Sequence, residues 1–164
     1  MKVITLFRHG KAIEQSIDIP DFARVLRELG RNDVALMAQK LADKKIIPQL
    51  LVHSGAARTM ETAQIINNHF QNTIPMQEEH WIYTGYTTSD FLDFIQSLLD
   101  EINSVCIVGH NPYISDVAHR LCKDFHASFP TSGNLTLQFD VPSWADIQPG
   151  KGKIVAFEYP KLYR

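Results

Sequence analysis

Only two cysteines occur in the 164 residues, and they form neither a CxxC pair nor the spacing of a structural metal site. Cys106 lies inside an apolar run and Cys122 inside a helical pattern, so both are expected as buried, reduced thiols. Excess positive charge is also missing. The formal net charge of -2 argues against a general nucleic-acid binder, although it leaves room for a local anion pocket. No stretch approaches the length of a membrane span, and the VITLF run between Lys2 and Arg8 is too short for a signal-peptide core. A cytoplasmic location without a membrane partner is therefore expected. There is no internal repeat and no low-complexity tract. What the chain does have is 45% hydrophobic and 21% charged content. That supplies one compact core, and the length is too small for two, so a single domain over residues 1–164 is expected.

The apolar runs Val3 to Phe7 and Val105 to Val108 are rich in β-branched and large side chains and stop at glycine-containing turns. Both read as buried strands of a parallel sheet. Between them, a polar segment from Lys11 to Asn32 reads as a long loop with at most one helical turn. Val34, Met37, Ala38 and Leu41 then recur at helical spacing behind Asn32 or Asp33 as a cap. QLLVHS is a second strand, and Ala63, Ile66 and Phe70 mark the next helix. Residues 76–89 carry no clear period. Phe91, Phe94, Ile95, Leu98, Leu99 and Ile102 give the strongest helical pattern, with all six expected on the sheet. Ile114, Val117, Ala118 and Leu121 mark a further helix. LTLQF and KIVAFEY alternate and are joined by the turn-rich PSWADIQPGKG, which predicts an antiparallel pair. The expected fold is α/β in three αβα layers: a mostly parallel sheet flanked by helices, with an antiparallel extension late in the chain.

The first strand ends in Arg8, His9 and Gly10, and the Val105 strand ends in Gly109, His110, Asn111 and Pro112. In open α/β sheets ligands bind beyond the carboxyl ends of strands, which puts both histidines where chemistry is usually done. Arg58, in HSGAARTMET, adds a second guanidinium to that of Arg8. Guanidinium groups present planar donor forks to phosphate oxygens and stay charged at any working pH. Phosphoryl transfer depends mostly on positioning and on electrostatic stabilisation of those oxygens. A neutral His9 imidazole is a nucleophile for phosphorus. Asn111 can cap the following helix, Pro112 can occupy its first turn, and the free N–H groups there favour an anion, with His110 as another donor when protonated.

In this order, LFRHGK, HSGAARTMETA and VGHNP resemble the histidine phosphatase superfamily, of phosphoglycerate mutase-like fold. The nearest branch is the SixA-type phosphohistidine phosphatases: the chain is short, DFARVLRELG is similar to that branch's arginine-proline-leucine segment followed by a glycine, and no large insertion separates Arg58 from His110. The resemblance implies His9 as the transiently phosphorylated nucleophile, Arg8 and Arg58 as phosphate-binding arginines, and His110 as the second pocket histidine. It also implies that Gly10 lets the backbone fix the His9 tautomer, and that no cofactor is needed. Ser54 and Thr62 match a serine and a threonine that support the Arg58 loop. The first motif continues as KAIEQ rather than with the threonine or serine and asparagine of the sugar-phosphate branches. The family's proton-donating glutamate falls in MQEEHWIYTG, where Glu79 is the candidate, with Glu78 and His80 as alternatives.

The resulting expectation is a metal-independent phosphatase acting through phosphorylated His9 on a phosphorylated protein, such as a histidine phosphotransfer domain. A phosphohistidine leaving group suits a site short of an acid, because its ring can depart already protonated. The alternatives are a small phosphorylated substrate for a phosphomonoesterase of the same superfamily, or a non-catalytic module that only binds phosphate. His53, His69, His119 and His126 show no ligand spacing, and Trp81 and Trp144 read as packing residues.

Overall fold

Along the first strand, Lys2–Arg8 (β1), Ile4 and Leu6 join one buried cluster while Phe7 joins another on the opposite face. Ser104–Gly109 (β4) divides in the same way, with Val105 and Ile107 on one side and Cys106 and Val108 on the other. This period-two sorting on strands apolar throughout is what a sheet covered on both faces requires. The computed structural model describes residues 1–164. Its sheet also contains Leu50–His53 (β2), Met76–Glu78 (β3), Asn134–Phe139 (β5) and Lys153–Glu158 (β6), in the order β3-β2-β4-β1-β5-β6. β3, β2, β4 and β1 run parallel, whereas β1–β5 and β5–β6 are antiparallel.

Glu28–Asp43 (α1) and Ala57–His69 (α2) cover the face that holds Phe7 and Cys106. Trp81–Thr84 (α3), Thr88–Gln96 (α4) and Tyr113–Leu121 (α5) contribute to the other cluster. The three layers, the parallel strands and the late antiparallel pair agree with the sequence. No helix is long and apolar enough to cross a membrane.

Three local expectations need correction. α1 starts at Glu28, not behind Asn32 or Asp33, and its preceding residue, Arg27, makes no side-chain cap. Gly30, within the segment read as loop, sits inside this helix, where the backbone of Lys11 crosses it. A Cβ there would stand 2.1 Å from the Lys11 carbonyl oxygen. α4, which opens with a Thr87/Asp90 capping box, stops at Gln96. Leu98, Leu99 and Ile102 therefore belong to the turns that follow, and Leu99 is 68% exposed instead of packing on the sheet. Helical spacing persisted across the turns and concealed the end of the helix. Thirdly, Asn111 is not a backbone cap. Its amide nitrogen donates to the Phe129 carbonyl at 3.0 Å, its Oδ1 accepts from Ser115 Oγ at 2.7 Å, and Pro112 immediately precedes α5.

β1 and β4 are neighbours, and the helices that follow them go to opposite faces: α1 after β1, α5 after β4. Their carboxyl ends thus flank a crevice at a topological switch point.

Candidate active site

Both histidines stand at that crevice. Arg8 is in register with Gly109, so His9 and His110 directly follow paired strand ends, and their ring centroids are 5.2 Å apart. β2 ends beside them. Gly55, at φ +87°, turns the chain after it, and a Cβ there would lie 2.8 Å from the Glu78 carboxyl carbon. The turn delivers Arg58 at the start of α2, where its Nη2 reaches His110 Nδ1 at 3.3 Å. Arg8, His9, Arg58 and His110, dispersed in the chain, therefore lie together.

The hydrogen bonds fix the protons of both rings. His9 Nδ1 lies 2.7 Å from the Gly10 carbonyl oxygen, which only accepts, so Nδ1 carries the hydrogen and Nε2 keeps its lone pair. Gly10 is held by its own N–H donating to Thr62 Oγ1 at 3.0 Å, and Thr62 in turn donates to the Arg58 carbonyl at 2.7 Å. A Cβ at Gly10 would meet Val34 Cγ2 at 2.7 Å and the Gly30 carbonyl oxygen at 3.0 Å. Glycine is thus needed for the close approach of α1 to the backbone beside His9.

His110 has the opposite tautomer. A guanidinium can only donate, so Nδ1 is bare, and Nε2–H donates to Ser54 Oγ at 2.9 Å. Ser54 also accepts a hydrogen bond from the Ala56 N–H and donates its own to Thr59 Oγ1, which donates to the Ala56 carbonyl. Burial pushes the pKa of His9 down to about 3, helped by the positive charges of His110, Arg58 and Arg8 and opposed by the Gly10 carbonyl. Burial and Arg58 likewise lower His110 to about 4, against the pull of Asp21. Both rings are neutral at pH 7.

Around them, donors remain unused. Nε of Arg8 and Nε of Arg58 are buried with no partner, as is the Ser132 hydroxyl. Buried donors without acceptors are uncommon and costly, and the charges of Arg8 and Arg58 both bear on His9 and His110, an arrangement chemically suited to an anion. The loop after Phe129 helps to build it: Arg8 Nη1 donates to the Phe129 carbonyl at 2.8 Å, and the Ser132 N–H points at the Arg8 and His9 carbonyls. Five surface clefts of about 240–290 Å³ are lined by other residues.

Not every expected site residue joins the cluster. The side chain of Asn111 is occupied with Ser115 and the Phe129 loop. Glu79 accepts from Trp81 Nε1 at 3.3 Å and donates its N–H to the His53 carbonyl, with no bond to the four basic residues. The carboxylate that does reach them is Asp21, which sequence reasoning missed inside a segment read as loop. Its Oδ2 accepts from Arg58 Nη2 at 3.2 Å and from the Tyr83 hydroxyl at 2.8 Å, and its carbonyl accepts from Arg58 Nη1. Burial raises the carboxyl pKa, but the Tyr83 hydrogen bond and the charge of Arg58 outweigh it and hold the group below the usual carboxylate range. The only available signal for Asp21 was its place three residues before Arg24 in DFARVLRELG. No three His, Cys, Asp or Glu side chains are grouped to hold a metal ion.

Comparison with known proteins agrees with this geometry. An uncharacterized chloroplastic protein of Arabidopsis thaliana is 29% identical over 129 residues, covering 72% of this chain, and the chain spans 58% of that relative's length. A protein of Agrobacterium tumefaciens that carries the name of the phosphohistidine phosphatase SixA superposes with a TM-score of 0.82 at 27% identity, over 97% of this chain and 98% of the other. The protein histidine phosphatase SixA complexed with tungstate superposes with a TM-score of 0.83 at 20% identity, over 99% of each chain. Residues 4–81, which include Arg8, His9 and Arg58, match the histidine phosphatase superfamily (branch 1). With the two strand-end histidines and the two arginines gathered at one crevice, the chain is similar to the histidine phosphatase superfamily, branch 1, in the segment that carries Arg8, His9 and Arg58.

Proposed function

We propose that this chain is a metal-independent phosphatase that carries a phosphoryl group on His9 Nε2 and takes it from phosphohistidine on a protein. The observation that carries the proposal is the His9–Gly10 hydrogen bond of 2.7 Å, which leaves Nε2 bare beside unpartnered arginine donors. A binding module needs the donors but has no use for a nucleophile held in one tautomer. The SixA names of the similar structures support the substrate class, and so does the lack of a glutamate bonded to the cluster.

In the first step the Nε2 lone pair attacks phosphorus, the P–N bond of the substrate breaks, and its electron pair returns to the substrate ring. With that ring protonated at its far nitrogen, it departs as neutral imidazole and needs no acid from the enzyme. Arg8 and Arg58 hold the equatorial oxygens. In the second step water attacks phosphorus, the P–Nε2 bond breaks, and the products are neutral His9 and dihydrogen phosphate.

The test is turnover of a phosphohistidine protein against sugar phosphates, with His9→Ala as control. Preferred release of phosphate from phosphohistidine, together with an acid-labile, alkali-stable label on the chain that His9→Ala abolishes, is the expected result. Preference for sugar phosphates, or a label that survives His9→Ala, overturns the proposal.

A further inference from the structure

A carboxylate inside an anion pocket demands a reason. Asp21 lies against Arg58, where a phosphate dianion would bind, and like charges at that range oppose each other. Its side chain is 34% exposed against 9% for that of Arg58, so solvent reaches part of the acidic group. Next to it is an aromatic wall. Phe22, 36% exposed, packs edge-on against Tyr83 with centroids 4.9 Å apart, exposed His80 lies 5.6 Å from Phe22, and Tyr83 in turn meets His110 at 5.7 Å. An acidic group beside exposed aromatic faces suits a planar, cationic ring.

Resting on the phosphohistidine reading above, we propose that Asp21 is the residue that recognises the leaving group: its carboxylate accepts a hydrogen bond from the protonated far nitrogen of the substrate imidazole, whose ring lies against Phe22 and Tyr83. The phosphoryl group is then held by Arg8 and Arg58, and the ring by a negative charge that phosphate alone would not welcome. By holding the ring protonated, Asp21 supplies electrostatically what a general acid supplies to an alkoxide. No proton moves to or from Asp21 in this step. The charged and titratable groups that face the carboxylate are Arg58 from α2, Tyr83 from α3 and Arg24 from its own segment at 3.4 Å, with His110 behind Arg58 and His80 beside Phe22.

The isosteric variant Asp21→Asn tests the proposal, read on phosphohistidine made with phosphoramidate and on inhibition by inorganic phosphate. Loss of a charged hydrogen bond lowers kcat/KM on phosphohistidine by about 10- to 100-fold, while phosphate binds as tightly as before or more so. The alkaline limb of the phosphohistidine profile also moves down by about one pH unit, because an adjacent carboxylate had raised the pKa of the substrate ring. A loss of phosphate affinity as large as the loss of turnover, or an unmoved limb, overturns the inference and makes Asp21 only a positioning residue for Arg58. A wild-type chain that binds phosphate but does not turn over phosphohistidine overturns the proposed function itself, and this inference with it.

Discussion

Arg58 Nη2 points at a bare ring nitrogen, His110 Nδ1, at 3.3 Å. The contact exists only while His110 is neutral, since a protonated Nδ1 would set two donors and two positive charges against each other. His9, 5.2 Å away, is neutral with the opposite tautomer. The crevice is therefore a site whose fixed positive charge comes from arginines alone.

This arrangement makes stability depend on acid in a defined direction. The folded pKa values of about 3 for His9 and about 4 for His110 lie below the ordinary value of 6.5, so between these limits the unfolded chain binds more protons than the folded one. Stability is expected to fall as pH drops from 6.5 towards 4, by up to about 1.4 kcal/mol per pH unit for each histidine. Denaturant titrations at pH 7 and pH 5 check this. His9→Gln should flatten the slope; a wild-type slope that persists unchanged in the variant would assign the dependence to other groups.

The pH dependence rests on burial that the sequence revealed only in part. Period-two and period-3.6 patterns identified the sheet, its parallel core and the positions of His9 and His110, because the apolar residues of β1 and β4 are set by two covered faces. Arg58 was legible through its motif. Asp21 and the loop after Phe129 were not, since their contribution depends on long-range contacts to Arg58 and Arg8 rather than on local pattern. The end of α4 and the start of α1 were misplaced for a related reason: turns can keep a helical period, and a helix can accept a glycine where another backbone crosses it.

Gly30 gives a prediction that opposes helix propensity. Inside a helix, Gly→Ala normally stabilises by about 1 kcal/mol. Here the added Cβ would collide with the Lys11 carbonyl, which is backbone and cannot rotate away. Gly30→Ala is expected to destabilise by about 1–3 kcal/mol, as overpacking does, and Gly10→Ala to do the same while also lowering turnover by displacing His9. Chemical denaturation decides it, and a stabilised Gly30→Ala would show that Lys11 yields freely.

Ser54 controls the tautomer of His110. It is fully buried, and Ser54→Ala removes the acceptor for His110 Nε2–H, the acceptor for the Ala56 N–H and the donor to Thr59. Leaving such groups unpaired costs about 1–3 kcal/mol, measurable as a lower unfolding free energy. His110 should also become free to reverse its tautomer, visible as a change in its ring nitrogen NMR shifts. Unchanged shifts would show that Arg58 alone sets the ring.

Arg58→Lys separates charge from shape. Lysine keeps the positive charge at the start of α2 but loses the fork that joins the Asp21 carbonyl, the Asp21 carboxylate and His110 at once. It also loses the buried Nε, a donor with no protein partner. Affinity for vanadate or phosphate is expected to fall by about 10- to 100-fold, with Arg58→Ala at least as damaging, while the far-ultraviolet circular dichroism of both variants stays that of the wild type. Because the charge is retained, a lysine variant that binds as tightly as the wild type would mean that the anion reads net charge and not the planar donor pair, and the geometric account of the crevice would fail at Arg58.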